Sequence, residues 1–311
     1  MKMNNYILIL EKRNVINMIN KYWIWFSRIP NLGNKKKLKL LKTYIMPEII
    51  WNLSKEELLK VEGIGEEIAS NITNSIYKEN LEQYIEYMNK YKIEIITILD
   101  DEYPQKLRNI YDPPACIYVK GNKDILNNTS ISIIGCRQCT SYGMNIAKCI
   151  AYNLSKNNIN IISGMAKGID SYAHMGAIMA KNTTIAVLGC GLDIVYPKEN
   201  LKLFNNILEN NGAIISEYLI GTKPEKMNFP ARNRIISALS DGVVVIEARK
   251  RSGTLITVDF ALEQGKEVYV VPGNVNSPQS FGTNELIKEG AKCITCAKDI
   301  IEDLQNTCNY N

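Results

Sequence analysis

The sequence predicts an α/β fold in which a doubly wound, mostly parallel sheet follows a small all-helical domain. Residues 1–95 contain only segments with helical patterning, whereas short β-branched apolar runs alternate with amphipathic segments from about residue 96 onward. Such runs indicate strands that are buried on both faces, as in a parallel sheet with helices on either side. We therefore expect a helical domain over residues 1–95, a sheet domain over 96–303 and a C-terminal tail over 304–311.

The helical part is expected to contain a turn of the helix-hairpin-helix or SAM-like type. In VEGIGEEIASNI, the turn Gly63-Ile64-Gly65 precedes a helix whose backbone amides open at the glycines, and such an end can hold a DNA phosphate. Glu66 and Glu67 follow at the place where the phosphate would lie, and their charge would repel it. The alternative that the turn only connects two helices therefore stays open. The predicted helices are NVINMINKYWIWFSRI, KKKLKLLKTYI, SKEELLKV, EEIASNITNSI and NLEQYIEYMNKY.

The sheet domain is expected to begin with a Pro-marked lead-in, residues 97–128, that packs against the sheet. The strands that follow end at Gly, Glu or other turn residues and are separated by helical segments. The predicted strands are ISIIG (131–135), INIISG (159–164), TIAVLG (184–189), AIISE (213–217), GVVVIEA (242–248), EVYVVPG (267–273) and KCITCA (292–297).

Charge and hydropathy exclude several classes of protein. The apolar segment from Tyr6 to Leu10 is too short for a signal peptide, and no apolar run is long enough to span a membrane, so we expect a cytoplasmic protein. The net charge is +5, and residues 1–95 carry 15 basic against 11 acidic residues, which leaves 22 against 21 for the remainder. Nucleic acid would therefore have to be bound by a local patch rather than by bulk charge.

The eight cysteines and the single histidine predict neither a metal centre nor a hydrolase, and no cofactor is expected. The CxxC pairs Cys136/Cys139 and Cys293/Cys296 lie far apart in sequence and outside knuckle-like turns, so free thiols are favoured. His174 lies in an Ala- and Gly-rich helix and is expected to pack in the core. A catalytic triad needs a base beside a Ser or Cys nucleophile, and the sequence offers no candidate base other than His174.

The candidate site lies in the loops that follow the strands, because ligands bind beyond the carboxyl ends of the strands in such a sheet. No Walker A or dinucleotide fingerprint occurs there. Instead the loops combine Gly and Ser with cations, which suits a phosphate-binding groove without catalytic groups. Alternatively, the glycines serve turns and the arginines pair with carboxylates. The cationic positions are Arg137, Lys226, Arg232, Arg234 and the turn Lys250-Arg251-Ser252-Gly253.

Six motifs between residues 97 and 303 resemble the DNA-processing protein A family (DprA, also called Smf). The resemblance implies an extended Rossmann-like fold that is not an enzyme. It implies a homodimer that binds and protects single-stranded DNA and loads the RecA recombinase onto it during natural transformation and recombination, with no membrane partner. The motifs, in order, are GCRQCTSYG, SGMAKGID, AVLGCGLDIVYPKEN, FPARNRIIS, RSGTLIT and VVPGNVNSPQSFGTNELIKEGA.

The resemblance also implies which residues bind DNA. Arg137 matches the arginine of a Gly-x-Arg motif, and Lys226 with Phe229 matches the lysine and aromatic residue ahead of the Arg-Asn-Arg motif. Cations neutralise phosphates, and Phe229 offers a face for a base. Lys167 replaces a frequent arginine. The predicted DNA-binding residues are Arg137, Ser163, Gly164, Lys167, Lys226, Phe229, Arg232, Asn233, Ser252 and Gly253.

The stretch NFPARNRIIS, residues 228–237, places two arginines two positions apart at the start of a predicted helix. Residues at this spacing lie about 200° apart around a helix, so the two side chains face different partners. We predict that Arg232 reaches the DNA groove and that Arg234 forms an internal ion pair with Glu217 or Glu247.

Two other functions stay open from the sequence. A lonely-guy-type nucleotide phosphoribohydrolase has a related fold and a compact P-G-G-x-G-T-x-x-E loop. Here Pro272-Gly273 and the segment from Gly282 to Glu285 are split by NVNSPQSF, which argues against that enzyme. A non-catalytic nucleotide-sensing module of similar fold is the second alternative.

Overall fold

The computed structural model describes residues 20–308, with side chains described up to residue 306. The apolar segment from Tyr6 to Leu10, the first part of the predicted helix NVINMINKYWIWFSRI and the last residues of the predicted tail lie outside the described residues. Within residues 20–308, no helix combines the length and the apolar character that a membrane crossing requires.

The N-terminal part is helical, as predicted. Helix α3 was not predicted, although Pro47 at its first position and Glu48 in its first turn are start signals for a helix. The helices are α1 (20–28), α2 (Asn34–Tyr44), α3 (Pro47–Trp51), α4 (Lys55–Leu59), α5 (Glu66–Thr73) and α6 (Leu81–Tyr91).

An aromatic cluster joins these helices to the sheet. Trp23, Trp25 and Phe26 of α1 are almost fully buried, and the ring of Trp25 packs edge-on against Trp51 of α3 at 5.1 Å between centroids. The same apolar cluster continues to Leu188 in the sheet. The helical part therefore shares a core with the sheet.

Within residues 20–308, nine strands form one mostly parallel sheet, which confirms the predicted fold class. The spatial order is β1-β2-β6-β5-β4-β3-β7-β8-β9, with β2 antiparallel to both of its neighbours and the remaining pairs parallel. The strands are β1 (Ile93–Thr97), β2 (Cys116–Gly121), β3 (Ser130–Ile134), β4 (Asn160–Ser163), β5 (Thr184–Leu188), β6 (Ala213–Ser216), β7 (Gly242–Val245), β8 (Glu267–Val270) and β9 (Lys292–Cys293).

The two edges of the sheet differ from the prediction. The lead-in contributes strand β2, which pairs with β6, and β1 spans the residues where the domain boundary was predicted. At the other edge KCITCA forms only the two-residue strand β9, because the chain turns at Ile294 and a helix begins at Ala297. The division of the chain into domains stays a prediction.

Helices cover both faces of the sheet. Side chains alternate between the faces along β3, so that Ile133 packs against α8 and α9 while the next residue, Ile134, belongs to the core under α11 and α12. The first face carries α8 (Ser141–Lys156), α9 (Ile169–Met179), α10 (Leu201–Glu209) and α14 (Ala297–Cys308); the second carries α7 (Gln105–Arg108), α11 (Asn228–Leu239), α12 (Gly253–Glu263) and α13 (Phe281–Lys288). Helix α14 covers most of the predicted C-terminal tail.

Candidate functional site

A cavity of about 680 Å³ opens at the carboxyl ends of β3 and β7. The loops after β3, β6 and β7 meet here, because parallel strands end at a common edge. Helix α11 forms one wall, and Ser252 and Gly253 at the start of α12 form another. The loops that the sequence predicted to contain the site therefore meet in one place.

Three exposed cations surround this cavity: Arg137 after β3, Lys226 before α11 and Arg249 after β7. None of them forms an ion pair with any described residue; Arg249 donates only to the neutral amide of Gln138, at 3.3 Å. Because no carboxylate neutralises them, their charge is available to an anionic ligand.

Two aromatic rings lie at the mouth of the cavity. Tyr196, which follows β5, stacks on Phe229 with 5.3 Å between ring centroids and an interplanar angle of 30°. The guanidinium of Arg137 lies 5.5 Å from the centroid of Phe229. The site thus joins a stacking surface to a cation, a combination that suits a nucleotide chain.

Arg232 lines the cavity without projecting into the solvent, and its contact with DNA stays a prediction. The residue is 4% exposed, and its Nη1 donates to the carbonyl oxygens of Gly164, at 2.8 Å, and of Val187. Burial lowers the pKa of Arg232 to about 10, although the neighbouring Asp170 carboxylate opposes the shift. The guanidinium therefore stays charged at neutral pH and forms the floor of the cavity.

Gly164 and Asp170 hold the loop after β4 against Arg232. A Cβ on Gly164 would lie 2.7 Å from Arg232 Nη2, so only glycine allows this close approach. The Asp170 carboxylate accepts from the backbone N–H groups of Gly164, at 3.2 Å, and Ala166, at 3.3 Å. Burial raises the pKa of Asp170, and Arg232 counteracts that shift. Gly164 is therefore required for packing in this loop.

The side chains of two further predicted residues, Ser163 and Lys167, are already engaged by other groups of the protein. Ser163 is fully buried and its hydroxyl donates to the carbonyl of Ile133 at 2.6 Å, so the predicted contact of this side chain with DNA is corrected to a structural role. Lys167 is exposed, but its ammonium lies 2.5 Å from the Glu199 carboxylate. That pair has to open before Lys167 can bind a phosphate.

Asn233, Ser252 and Gly253, three of the predicted DNA-binding residues, line the cavity, and their contact with DNA stays a prediction. Asn233 Nδ2 donates weakly to the carbonyl of Gly253 at 3.4 Å. Ser252 precedes the first residue of α12, and its buried hydroxyl has no hydrogen-bond partner within the described part of the chain. The N-terminal amides of α12 add a partial positive charge to this wall.

Arg234 lies on the other side of α11 and pairs with Glu217. The two groups form hydrogen bonds of 2.8 Å and 2.7 Å, and Arg234 Nε lies 3.0 Å from Asp112. Burial works against the charge, but Glu217 and Asp112 together raise the pKa of Arg234. The helical geometry therefore separated the partners of the two arginines as expected.

Glu247 is not a partner of Arg234, so this alternative in the prediction is wrong. Its carboxylate accepts from the Thr140 backbone N–H at 2.9 Å and from the Thr140 hydroxyl at 2.5 Å. It therefore lies at the N-terminus of α8, where related α/β folds bind a phosphate. Gly143 makes room for it, because a Cβ there would lie 2.5 Å from Glu247 Oε2.

The turn at Gly63-Ile64-Gly65 joins α4 to α5, and Gly63 has a φ of +86°. Carboxylates surround this turn: Glu66 lies 2.5 Å from Lys55, and Glu62 lies 2.7 Å from Lys39. Lys39 and Lys55 are thus already paired with carboxylates of this turn. Contact between this turn and DNA stays a prediction.

His174 is fully buried beneath the site and its tautomer follows from its partners. Thr184 Oγ1 donates to the carbonyl of Ile161 at 2.6 Å, so His174 Nδ1 must be the donor in its 2.8 Å contact with Thr184. Burial, with Arg232 nearby, lowers the pKa of His174 to about 3. The ring is therefore neutral, and it packs in the core as predicted.

The cysteines whose side chains the structure describes are free thiols. Among the described residues no group of three or more His, Cys, Asp or Glu side chains is placed to hold a metal ion. Cys293 and Cys296 are both exposed, because the chain leaves the sheet between them.

Sequence reasoning missed Tyr196, Arg249 and Gln138 at this site. Arg249 and Gln138 each follow a predicted strand within a few residues, so strand-end position alone could have identified them. Tyr196 comes eight residues after β5 ends, and no periodicity or spacing places it against Phe229.

Comparison with known proteins gives concordant matches. The chain is 38% identical to DNA processing protein DprA of Streptococcus pneumoniae over 92% of this chain and 99% of that protein, and 42% identical to DprA of Bacillus subtilis over 68% and 71%. The solved structure of the Streptococcus pneumoniae protein superposes with a TM-score of 0.73 at 36% identity, covering 91% of this chain and 97% of that one.

A second solved structure, of DNA processing protein A from Helicobacter pylori, concerns the single-stranded DNA binding mode of that protein. It superposes with a TM-score of 0.63 at 32% identity and covers 70% of this chain and 97% of that one. The family model described as DNA recombination-mediator protein A matches residues 94–305. The chain therefore belongs to the DNA recombination-mediator protein A family.

Proposed function

We propose that this chain binds and protects incoming single-stranded DNA and loads the RecA recombinase onto it during natural transformation. One observation carries the DNA-binding part of this proposal. Arg137, Lys226 and Arg249 surround a single cavity and form no ion pair with any described residue. The similarity to the Helicobacter pylori protein supports single-stranded DNA as the ligand.

The chemistry of the cavity favours an unpaired strand. Exposed arginine and lysine bind backbone phosphates without regard to sequence, and each phosphate contact releases counterions. The aromatic pair at the mouth can stack a base only if that base has left its own helix, since bases in a duplex already stack on one another. The cavity thus matches both parts of a single-stranded chain.

Binding rather than catalysis is proposed for the same site. The titratable groups beneath the cavity are engaged in the fold: Asp170 accepts two backbone N–H groups, and His174 is neutral and fully buried. The carboxylate of Glu247 fills the end of α8 that a nucleotide phosphate would use. These observations count against the phosphoribohydrolase and nucleotide-sensor alternatives.

A homodimer, a direct contact with RecA and a cytoplasmic location are further parts of the proposal. Membership of the family supports them. We propose no cofactor for the binding step, because the cations and rings described above are sufficient for it.

Fluorescence anisotropy with labelled oligo-dT and with a duplex of equal length tests the proposal. We expect salt-sensitive binding of oligo-dT, weaker binding of the duplex, and no release of free base from nucleoside monophosphates. Tight binding of a nucleoside monophosphate with release of its base, together with no affinity for oligo-dT, would instead establish the enzyme.

A further inference from the structure

We propose that a second cavity, between the helical part and the sheet, binds the phosphate group of a nucleotide, either free or in a DNA strand. This cavity has a volume of about 780 Å³ and lies on the side of α11 that carries Arg234, across the helix from the cavity that Arg137 lines. Its walls come from α1, the start of α2, the loop after β6 and α11. The inference therefore adds a separate site to the proposed function.

The start of α2 is a helix end without negative charge. Gly33 occupies the N-cap position, so no side chain accepts from the first backbone N–H groups, and the first turn contains no acidic residue. That turn instead contains Lys35, Lys36 and Lys37. Cations at this end oppose the helix dipole, whereas a phosphate would accept from the N–H groups and offset the charge of the lysines. This helix end therefore favours an anion.

Lys37 points independently to an anionic ligand. Its side chain lines the cavity and forms neither a hydrogen bond nor an ion pair within the described part of the chain. Burial lowers the pKa of Lys37, and the nearby Cys116 and Glu217 oppose that shift only in part. A cation that loses water without gaining a partner is costly, and a phosphate beside it would supply both hydrogen bonds and counter-charge.

The carboxylates of this cavity are already neutralised by other groups. Arg234 forms two hydrogen bonds with Glu217 and lies 3.0 Å from Asp112. Asn34 also donates to Glu217, at 3.1 Å. The acidic residues therefore leave the ammonium of Lys37 available to a ligand.

Arg28 supplies a second cation to the cavity. Its Nη1 donates to the backbone carbonyl of Glu79 at 2.7 Å, and its guanidinium lies 5.1 Å from the ring centroid of Tyr84. Among residues 20–308 it forms no ion pair, so its charge adds to that of Lys37. The two cations come from different helices of the N-terminal part and meet at one cavity.

The turn before α5 gives a contrast within the same chain. Gly65 also precedes a helix without a side-chain cap, but Glu66 and Glu67 occupy the first turn and already supply negative charge there. Gly33 has the lysines after it instead, and it lines the cavity. The two helix ends therefore share a backbone form and differ in the sign of their charge.

Calorimetric titration with dTMP, thymidine and inorganic phosphate tests the inference. The full chain carries Arg137→Ala/Lys226→Ala/Arg249→Ala, so that the main cavity does not contribute. We expect dTMP and inorganic phosphate to bind and thymidine not to bind. Lys37→Gln should weaken dTMP binding about tenfold or more, because it removes a charge-assisted contact. Lys39→Gln is the matched control and should bind like its parent, since this lysine of the same helix is paired with Glu62 at 2.7 Å.

Substitution of the two glycines tests the helix end directly. Gly33→Asp should abolish dTMP binding, because its carboxylate would cap the N–H groups that the phosphate needs. The backbone there is extended and a Cβ has nothing within 4 Å, so the fold tolerates the change. Gly65→Asp enters equally open space and should leave dTMP binding unchanged.

Oligo-dT binding by Lys37→Gln, with the main cavity intact, separates the two sources of the phosphate. A loss of affinity identifies a DNA strand, and an unchanged affinity together with the loss of dTMP binding identifies a free nucleotide. Equal binding of dTMP and thymidine, binding of inorganic phosphate alone, or dTMP binding that neither Lys37→Gln nor Gly33→Asp weakens would overturn this site. The proposed function fails separately, if the wild type does not bind oligo-dT.

Discussion

The guanidinium of Arg234 holds the carboxylate of Glu217 through two hydrogen bonds, 2.8 Å from Nη1 to Oε1 and 2.7 Å from Nη2 to Oε2. Both side chains are largely buried, with 5% and 10% exposure. The pair joins α11 to the residue that follows β6. It thereby holds in place the helix from which Arg232 and Asn233 line the cavity.

Arg234→Met is expected to lower the free energy of unfolding by about 3 kcal/mol, because it leaves the Glu217 carboxylate buried without its cation. Urea unfolding followed by circular dichroism measures this. Lys288→Met is the matched control, since it breaks an exposed pair, 2.7 Å from Glu285, that is worth less than about 1 kcal/mol. Equal losses in the two variants would show that the buried pair has no special role.

The single histidine gives a pH prediction. The pKa of His174 is about 3 in the folded protein against about 6.5 in an unfolded chain, so the unfolded state binds the extra proton between these values. The stability that His174 contributes is complete above about pH 6.5 and is lost as the pH falls towards 3, by up to about 1.4 kcal/mol per unit.

Two measurements check this prediction. The advantage of the wild type over His174→Gln in urea unfolding should shrink as the pH falls from 6.5 to 4.5. The imidazole resonances of the sole histidine should stay those of a neutral ring over the same range. A titration centred near pH 6.5 would contradict the buried, neutral state.

Gly143→Ala is expected to destabilise the protein by about 1–3 kcal/mol, although alanine favours helices, because its Cβ would collide with the Glu247 carboxylate. Thermal unfolding provides the readout. Gly253→Ala is the control: a Cβ at this position has nothing within 4 Å, so the substitution should be neutral or slightly stabilising. If Gly143→Ala is as stable as Gly253→Ala, Glu247 does not occupy the end of α8.

Apolar periodicity predicted most of this fold. The continuous β-branched runs of β3, β4, β5, β6, β7 and β8 lie in the middle of the sheet, where both faces are buried, so their pattern is strong. Strand β2 was missed because prolines precede it and it joins the sheet antiparallel, at a long sequence distance from β6. Strand pairing of that kind leaves no local signal.

The sequence predicted the location of the site, but it did not predict the contacts that depend on segments distant in sequence. The positions of Arg137, Lys226 and Gly253 at the cavity follow from the rule that strand ends carry the site. Arg232 lies in the floor of the cavity and not on its surface, because its guanidinium donates to the carbonyls of Gly164 and Val187. These carbonyls belong to β5 and to the loop after β4, which are distant from Arg232 in sequence. Helical spacing separated Arg232 from Arg234 but could not say which of them was buried against those carbonyls.

The most direct test of the account is the slope of log affinity against log salt concentration for oligo-dT. The triple variant Arg137→Ala/Lys226→Ala/Arg249→Ala should bind weakly and show a slope smaller by about 2, because each phosphate contact on a single strand contributes about 0.7. The control Lys298→Ala, on the exposed face of α14, should keep the slope of the wild type. A triple variant with the affinity and slope of the wild type would show that DNA binds elsewhere.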